Sequence, residues 1–179
     1  MRLFIAIELP RNVLNELSKM QSEVMRINTH RNIRPVPTQN MHLTLAFLGE
    51  TNALSDAVSV IKYAARGLKP FSLHLGAADC FSVRSDGGST AIVRIKGDIT
   101  ELNRLHESLT FNLKDYGFSV DGKRYVPHVT LARNAKVDAD GLRTISAGNA
   151  SFSVNRITLF ESVRTASGMK YDALHKEAL

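Results

Sequence analysis

Two segments of this 179-residue chain repeat one another: His42-Leu43-Thr44-Leu45-Ala46 and His128-Val129-Thr130-Leu131-Ala132. In an extended strand alternate side chains share a face. His42 therefore projects with Thr44 and His128 with Thr130, while Leu43, Leu45, Val129 and Leu131 turn the other way, into a core. Histidine titrates near neutral pH, so of two such rings one can take a proton while the other gives one. On opposite sides of a phosphorus the pair would support in-line displacement at a phosphodiester. The threonine hydroxyls would donate hydrogen bonds to the non-bridging oxygens. A strand histidine beside a threonine is ordinary once. A core has no need of polar residues on the same face of both copies of a repeat, so the doubled pattern points to chemistry.

The residues after each motif are less decisive. By strict alternation Arg133 falls on the face opposite His128 and Thr130, so it reaches a phosphate there only if the strand bends or ends. Phe47 suits a base-stacking platform and core packing equally. Zinc needs three or four ligands, usually with Cys, Asp or Glu at motif spacing. Neither motif holds such a partner, so metal-independent chemistry without a cofactor is expected. There is no phosphate-cradling glycine-rich loop of the P-loop type and no Gly-x-Ser-x-Gly elbow. His30 lies in a polar loop and is expected to be solvated. His74 on a strand, His106 on a helix and His175 in the tail read as structural.

The elements that must position the motifs also repeat. Residues 2–9 read as a buried strand ending at Pro10. Val13, Leu17, Met20 and Val24 give the helix Arg11–Ile27 an apolar face, and a polar loop with Pro35 and Pro37 leads to a strand over 41–48. A helix over 55–66, capped by Ser55, and a strand over 71–75 complete the first half. The second half runs strand 90–96, helix 100–116 capped by Thr100, strand 125–133, short helix 139–146 and strand 152–160, with a loop at 84–89 near the join. Each half is thus expected as strand-helix-strand-helix-strand, and a pseudo-twofold axis between the halves would set the two His-Thr faces on opposite walls of one cleft. The whole chain, 1–179, forms one domain whose lobes are roughly 1–85 and 86–179. The motifs stand at matching points of this repeat.

With 44% hydrophobic and 22% charged residues the composition is ordinary for a globular protein. No stretch approaches the ~20 apolar residues of a membrane span. The opening Leu3-Phe4-Ile5-Ala6-Ile7 is interrupted by Glu8 and Pro10, so a strand is expected there and not a leader. The single cysteine, Cys80, is expected as a buried small hydrophobe and agrees with a reducing, cytoplasmic setting. The net charge of +6 favours anionic partners. Arg26, Arg31 and Arg34 precede the first motif, and Lys123 and Arg124 precede the second. Such residues would contact flanking phosphates of a longer anionic partner and would make binding sensitive to salt.

On these residues the chain resembles the two-histidine phosphoesterase superfamily, in particular the RNA 2′,3′-cyclic phosphodiesterases formerly called 2′-5′ RNA ligases. The resemblance spans nearly the whole chain: residues 2–10, both motifs, Tyr125-Val126-Pro127 before the second, residues 157–162, Gly168 and Tyr171. It implies a bilobal α+β fold, a pseudo-twofold repeat in which two antiparallel-rich sheets flank a central cleft, and metal-free hydrolysis of an RNA 2′,3′-cyclic phosphate end to a 2′-phosphate, with His42 as general acid toward O3′ and His128 as the base activating water. It further implies that Thr44 and Thr130 hold the phosphate, and that Arg133 occupies a basic position which assists them. The near-symmetry of the site leaves the reverse acid-base assignment open. Substrates would be RNA fragments, tRNA-derived or otherwise, or small cyclic nucleotides, met by a monomer away from any membrane. Two alternatives stand beside this: 2′-5′ ligation at the same site, and an RNA-binding protein without catalysis.

Overall fold

The computed structural model describes residues 1–81, 88–148, 150–166 and 168–179. The chain runs β1 (Arg2–Glu8), α1 (Arg11–Ile27), β2 (Arg34–Pro35), a 3-10 turn (Thr38–Asn40), β3 (His42–Glu50), α2 (Leu54–Ala65) and β4 (Phe71–Phe81). It continues with β5 (Ser89–Gly97), α3 (Ile99–Asp115), β6 (His128–Ala135), α4 (Ala139–Arg143), β7 (Ser151–Val154), β8 (Arg156–Thr165) and β9 (Gly168–Ala178). The fold is α+β, and the strand pairings are antiparallel. Most of the loop expected at 84–89 lies outside the described residues.

One face of the sheet carries the helices. Val13, Leu17, Met20 and Val24 of α1 and Leu102, Leu105, Leu109 and Leu113 of α3 join Leu3, Ile5, Leu43, Leu45, Val129 and Leu131 in one apolar core. The apolar positions within each motif are thus buried where strand alternation put them. A separate small cluster of Phe4, Ala6 and Phe160, with Tyr171 against it, forms around the alternate residues of β1.

The two expected sheets are one. Among the described residues eight strands follow the order β7-β4-β5-β6-β3-β1-β8-β9, with β2 added on β6 as the ninth. Between β3 and β6, where the two halves of the sheet meet, the ladder holds a single residue pair, Leu43↔Val129. Along the rest of their lengths β3 pairs with β1 and β6 with β5. Strands are also exchanged between the halves of the chain: β4 lies beside β5, and β8 beside β1.

The strand expected over 152–160 breaks at Asn155. Its first part, β7, pairs with β4 near one end of the sheet, and its second, β8, with β1 and β9 near the other. With ~3.8 Å between consecutive Cα atoms, one linking residue keeps these regions within about 7 Å of each other. The sheet must therefore curl back on itself. At the break the positions that enter the main core change parity, from Phe152 and Val154 to Ile157 and Leu159, while Thr158 and Phe160 are buried on the alternate face.

Other corrections are local. β4 runs to Phe81, past a register shift between Leu75 and Ala78 that interrupts its alternation. The tail expected at His175 is strand β9, an edge strand without a period-two apolar face. Ala53 stands at the N-cap of α2 in place of Ser55, and Asp98 at that of α3 in place of Thr100. Asp98 makes no side-chain cap because its Oδ2 accepts the Ser72 N–H at 2.8 Å. Cys80 is half-buried and packs against the core.

Because one apolar pair closes the seam, truncating it should cost both packing and alignment. Leu43 is fully buried, so Leu43→Ala is expected to lower the unfolding free energy by about 2–5 kcal/mol in a denaturant titration. A loss below about 1 kcal/mol would show that the seam is held elsewhere.

Candidate active site

The pairing of Leu43 with Val129 turns both leucine-valine faces to the core and both His-Thr faces to the opposite side. Extended antiparallel, the same register sets His42 across from Thr130 and Thr44 across from His128. All four side chains are half-buried.

Both imidazoles are held in the same way. His42 Nδ1–H donates to the Asn40 carbonyl at 2.7 Å, and His128 Nδ1–H donates to the Val126 carbonyl at 2.7 Å. A carbonyl oxygen only accepts, so Nδ1 carries the hydrogen in each ring and Nε2 is left to take or give a proton. Packing sets the ring planes. His42 lies 4.9 Å from Phe4 and edge-on to Tyr171 at 5.3 Å. His128 stands edge-on to Phe81 at 4.7 Å. Tyr125, directly before Val126, stacks on His106 at 3.9 Å and donates its hydroxyl to the Thr44 carbonyl at 3.2 Å.

Arg133 and Phe47 reach this face through matching bulges. In β6 the partners of Ile92 and Ala91 are Thr130 and Ala132, leaving Leu131 as an extra residue. In β3 the partners of Ala6 and Ile5 are Thr44 and Ala46, leaving Leu45 extra. Leu131 and Ala132 are both buried, as are Leu45 and Ala46. Alternation thus slips by one, and the next residue emerges on the histidine face. Strict alternation placed Arg133 on the core side; the bulge reverses that, and Asn134 then takes a positive φ of 55°. Phe47 is 66% exposed, which rules out core packing, and lies 6.1 Å from Phe4.

Sequence reasoning missed Asp79, Phe81, Arg94 and Phe4. Arg94 pairs in register with His128. Its guanidinium lies 5.2 Å over the Phe81 ring and donates through Nε and Nη2 to Asp79 Oδ2 at 2.9 and 2.7 Å. Arg94 lies on β5, next to β6, and Asp79 and Phe81 on β4, one strand farther; that order is a matter of topology, so no local motif marks them. Burial works to raise the Asp79 carboxyl, but the hydrogen bonds from Arg94 and the Cys80 N–H outweigh it and hold the group below the usual carboxylate value. Tyr171, to which the sequence assigns no role, packs its ring against His42.

Both catalytic candidates have pKa values below the ordinary imidazole value. Burial is the main cause at His42, opposed by the bond to Asn40 and reinforced by Arg133 and His128. Burial also leads at His128, opposed by the bond to Val126 and reinforced by Arg94 and Arg133. The charge of Arg133 is therefore felt at both rings. Of the remaining histidines, His106 stacks on Tyr125, His175 bonds Glu177 at 2.9 Å, His74 is exposed, and His30 accepts the Asn32 N–H. Among the described residues no three His, Cys, Asp or Glu side chains group as a metal site, and no helix is long and apolar enough to cross a membrane. A cavity of about 680 Å³ opens on the His42 side of the seam, beside Glu8, Asn40, Phe160 and Tyr171.

The fold and this paired site define the class of the two-histidine phosphoesterases, and comparison with known proteins agrees. A family model described as the 2′-5′ RNA ligase superfamily matches residues 10–166. An RNA 2′,3′-cyclic phosphodiesterase of Thermotoga maritima is 30% identical over 98% of this chain and 94% of its own length. The solved structure of the Thermus thermophilus protein TT0787 superposes with a TM-score of 0.81 at 28% identity, over 100% of this chain and 98% of that one. Escherichia coli LigT complexed with 3′-AMP gives a TM-score of 0.78 at 28% identity, over 99% and 97%. The chain belongs to the 2′-5′ RNA ligase superfamily, in its RNA 2′,3′-cyclic phosphodiesterase family.

The Arg94 cation acts on one ring only. In an NMR titration of the imidazole resonances, Arg94→Gln should raise the pKa of His128 and leave that of His42 nearly unmoved. Equal movement of both, or of neither, would contradict this arrangement.

Proposed function

We propose that the chain hydrolyses 2′,3′-cyclic phosphate at RNA ends to a 2′-phosphate and a free 3′-hydroxyl, without a metal ion. The observation that carries the proposal is the facing of two His-x-Thr strands across one seam, each ring with its Nδ1 tied to a carbonyl. His128 Nε2 takes a proton from water as the water oxygen bonds to phosphorus. The P–O3′ bond breaks, and His42 Nε2–H protonates the departing O3′. Thr44 and Thr130 donate to the non-bridging oxygens, and Arg133 balances the charge that develops there. Phe47, exposed beside Phe4, offers its ring to a base. Proton exchange with water restores the starting state. The exchange of β4 and β8 between the halves supports one domain, 1–179, whose bilobal pseudo-repeats, roughly 1–85 and 86–179, are related by a pseudo-twofold axis at the seam. We further propose a cytoplasmic monomer.

Ligation is the second reading, favoured by the family's description. It would place an RNA 5′-hydroxyl where water attacks. In ~55 M water hydrolysis wins unless the site binds the second RNA well. A binding role without catalysis leaves both threonines and both Nε2 atoms without a task.

Turnover of a cyclic-phosphate oligonucleotide should persist in EDTA, and His42→Ala and His128→Ala should each lower kcat/KM by about 10²–10⁴. Supplying a 5′-hydroxyl RNA and weighing ligated against hydrolysed product separates the two reactions. Loss of activity in chelator, or full activity in both variants, would overturn the proposal.

The pH dependence has a definite sign. Catalysis needs one ring protonated and one neutral, and both pKa values lie below the ordinary value near 6.5 in the free protein. The bell of kcat/KM should therefore peak below pH 6.5. An anionic phosphate between the rings favours imidazolium, so the kcat profile should peak at higher pH. A kcat/KM still rising above about pH 7.5 would contradict this.

A further inference from the structure

The arginine at the second bulge has a like-charged neighbour. Strand β2 pairs with β6 at two positions, Arg34↔Arg133 and Pro35↔Ala132. Directly opposed residues on an antiparallel pair project to the same side, so Arg34 stands on the histidine face with Arg133. Both are exposed, and among the described residues neither has an ion-pair partner. Two unpaired like charges directly opposed on a ladder are destabilising. The position is nevertheless held firmly. Gln21 Nε2 donates to the carbonyls of both Val36 and Leu131, at 2.8 and 2.7 Å, and the Val36 N–H donates to the Leu131 carbonyl at 2.8 Å. Farther back, the Thr29 N–H donates to the Lys136 carbonyl, and the Lys136 N–H donates to Asn28 Oδ1. The strand is laced to β6 on both sides of Arg34.

Resting on the cyclic-phosphate reading above, we propose that Arg34, one strand outward from Arg133, forms a second phosphate subsite that takes the phosphodiester one nucleotide upstream of the cyclic end. Arg133 is among the charges that lower both histidines, and Arg34 is not. The cationic path thus leads outward from the reacting phosphate. From Thr130 to Arg133 the strand advances about 10 Å at ~3.3 Å per residue, less the bulge, and Arg34 lies one strand spacing aside. A guanidinium suits a phosphodiester because its fork can bond two oxygens at once. The substrate class that follows is an oligonucleotide rather than a nucleoside cyclic phosphate.

Two substrates separate the subsite from the reaction: a dinucleotide ending in a 2′,3′-cyclic phosphate, and a nucleoside 2′,3′-cyclic monophosphate, which has no upstream phosphodiester. Arg34→Gln should lower kcat/KM on the dinucleotide about tenfold, through KM, and leave the monophosphate unchanged. The fall of kcat/KM on the dinucleotide with added salt should also become shallower, because one screened charge contact is gone. Arg34→Lys should keep the salt dependence and lose less. Equal effects on both substrates, or none on either, overturn the subsite while the reaction stands. If the wild type turns over neither substrate, the cyclic-phosphate reading falls and the subsite with it.

Discussion

The halves of this sheet meet at one cross-strand pair, Leu43 and Val129. Each of these residues sits between the histidine and the threonine of its motif, so the contact that joins the halves also sets the distance between the four polar side chains. A longer ladder would fill the seam with backbone hydrogen bonds and leave no opening for a substrate between the strands. Without the pair, nothing in the β3–β6 ladder would align one motif with the other. The apolar residues in the motifs thus matter to the chemistry through their position in the core, about as much as the polar ones do through their reach.

Around that pair the same devices occur twice. A carbonyl two residues back holds each Nδ1, a bulge follows each threonine, and the residue after the bulge is returned to the reactive face. The surroundings then differ. Phe4 and Tyr171 enclose His42 in aromatic rings, whereas His128 has Phe81 with Arg94 and Asp79 behind it. A cation beside one ring of an otherwise matched pair disfavours its imidazolium form. Under the proposed roles, the asymmetry between acid and base would be carried by neighbours on other strands, while the motifs themselves remain alike.

Much of this was legible in the residues. The doubled His-x-Thr pattern, the amphipathic faces of α1 and α3 and the inward turn of Leu43 and Val129 follow from periodicity alone. Arg133 was misplaced because a bulge leaves no period signal of its own, although the paired small and large apolar residues Leu131-Ala132 and Leu45-Ala46 are its trace. Asn155 hid a strand exchange behind what read as one strand, and β9 was missed because an edge strand has no apolar face to reveal it. Asp79, Phe81 and Arg94 could not be assigned from spacing, since their neighbourhood to His128 depends on which strands lie beside β6.

The central claim is that His42 and His128 act as one acid-base unit across the seam, and a double-mutant cycle on the rate of cyclic-phosphate opening tests it most directly. Groups that work as a unit are strongly non-additive. The double variant His42→Ala/His128→Ala should therefore be no slower than the slower of the two single variants, with the bell-shaped pH dependence lost in all three. Multiplicative losses, or a bell that persists when either ring is gone, would contradict the pairing.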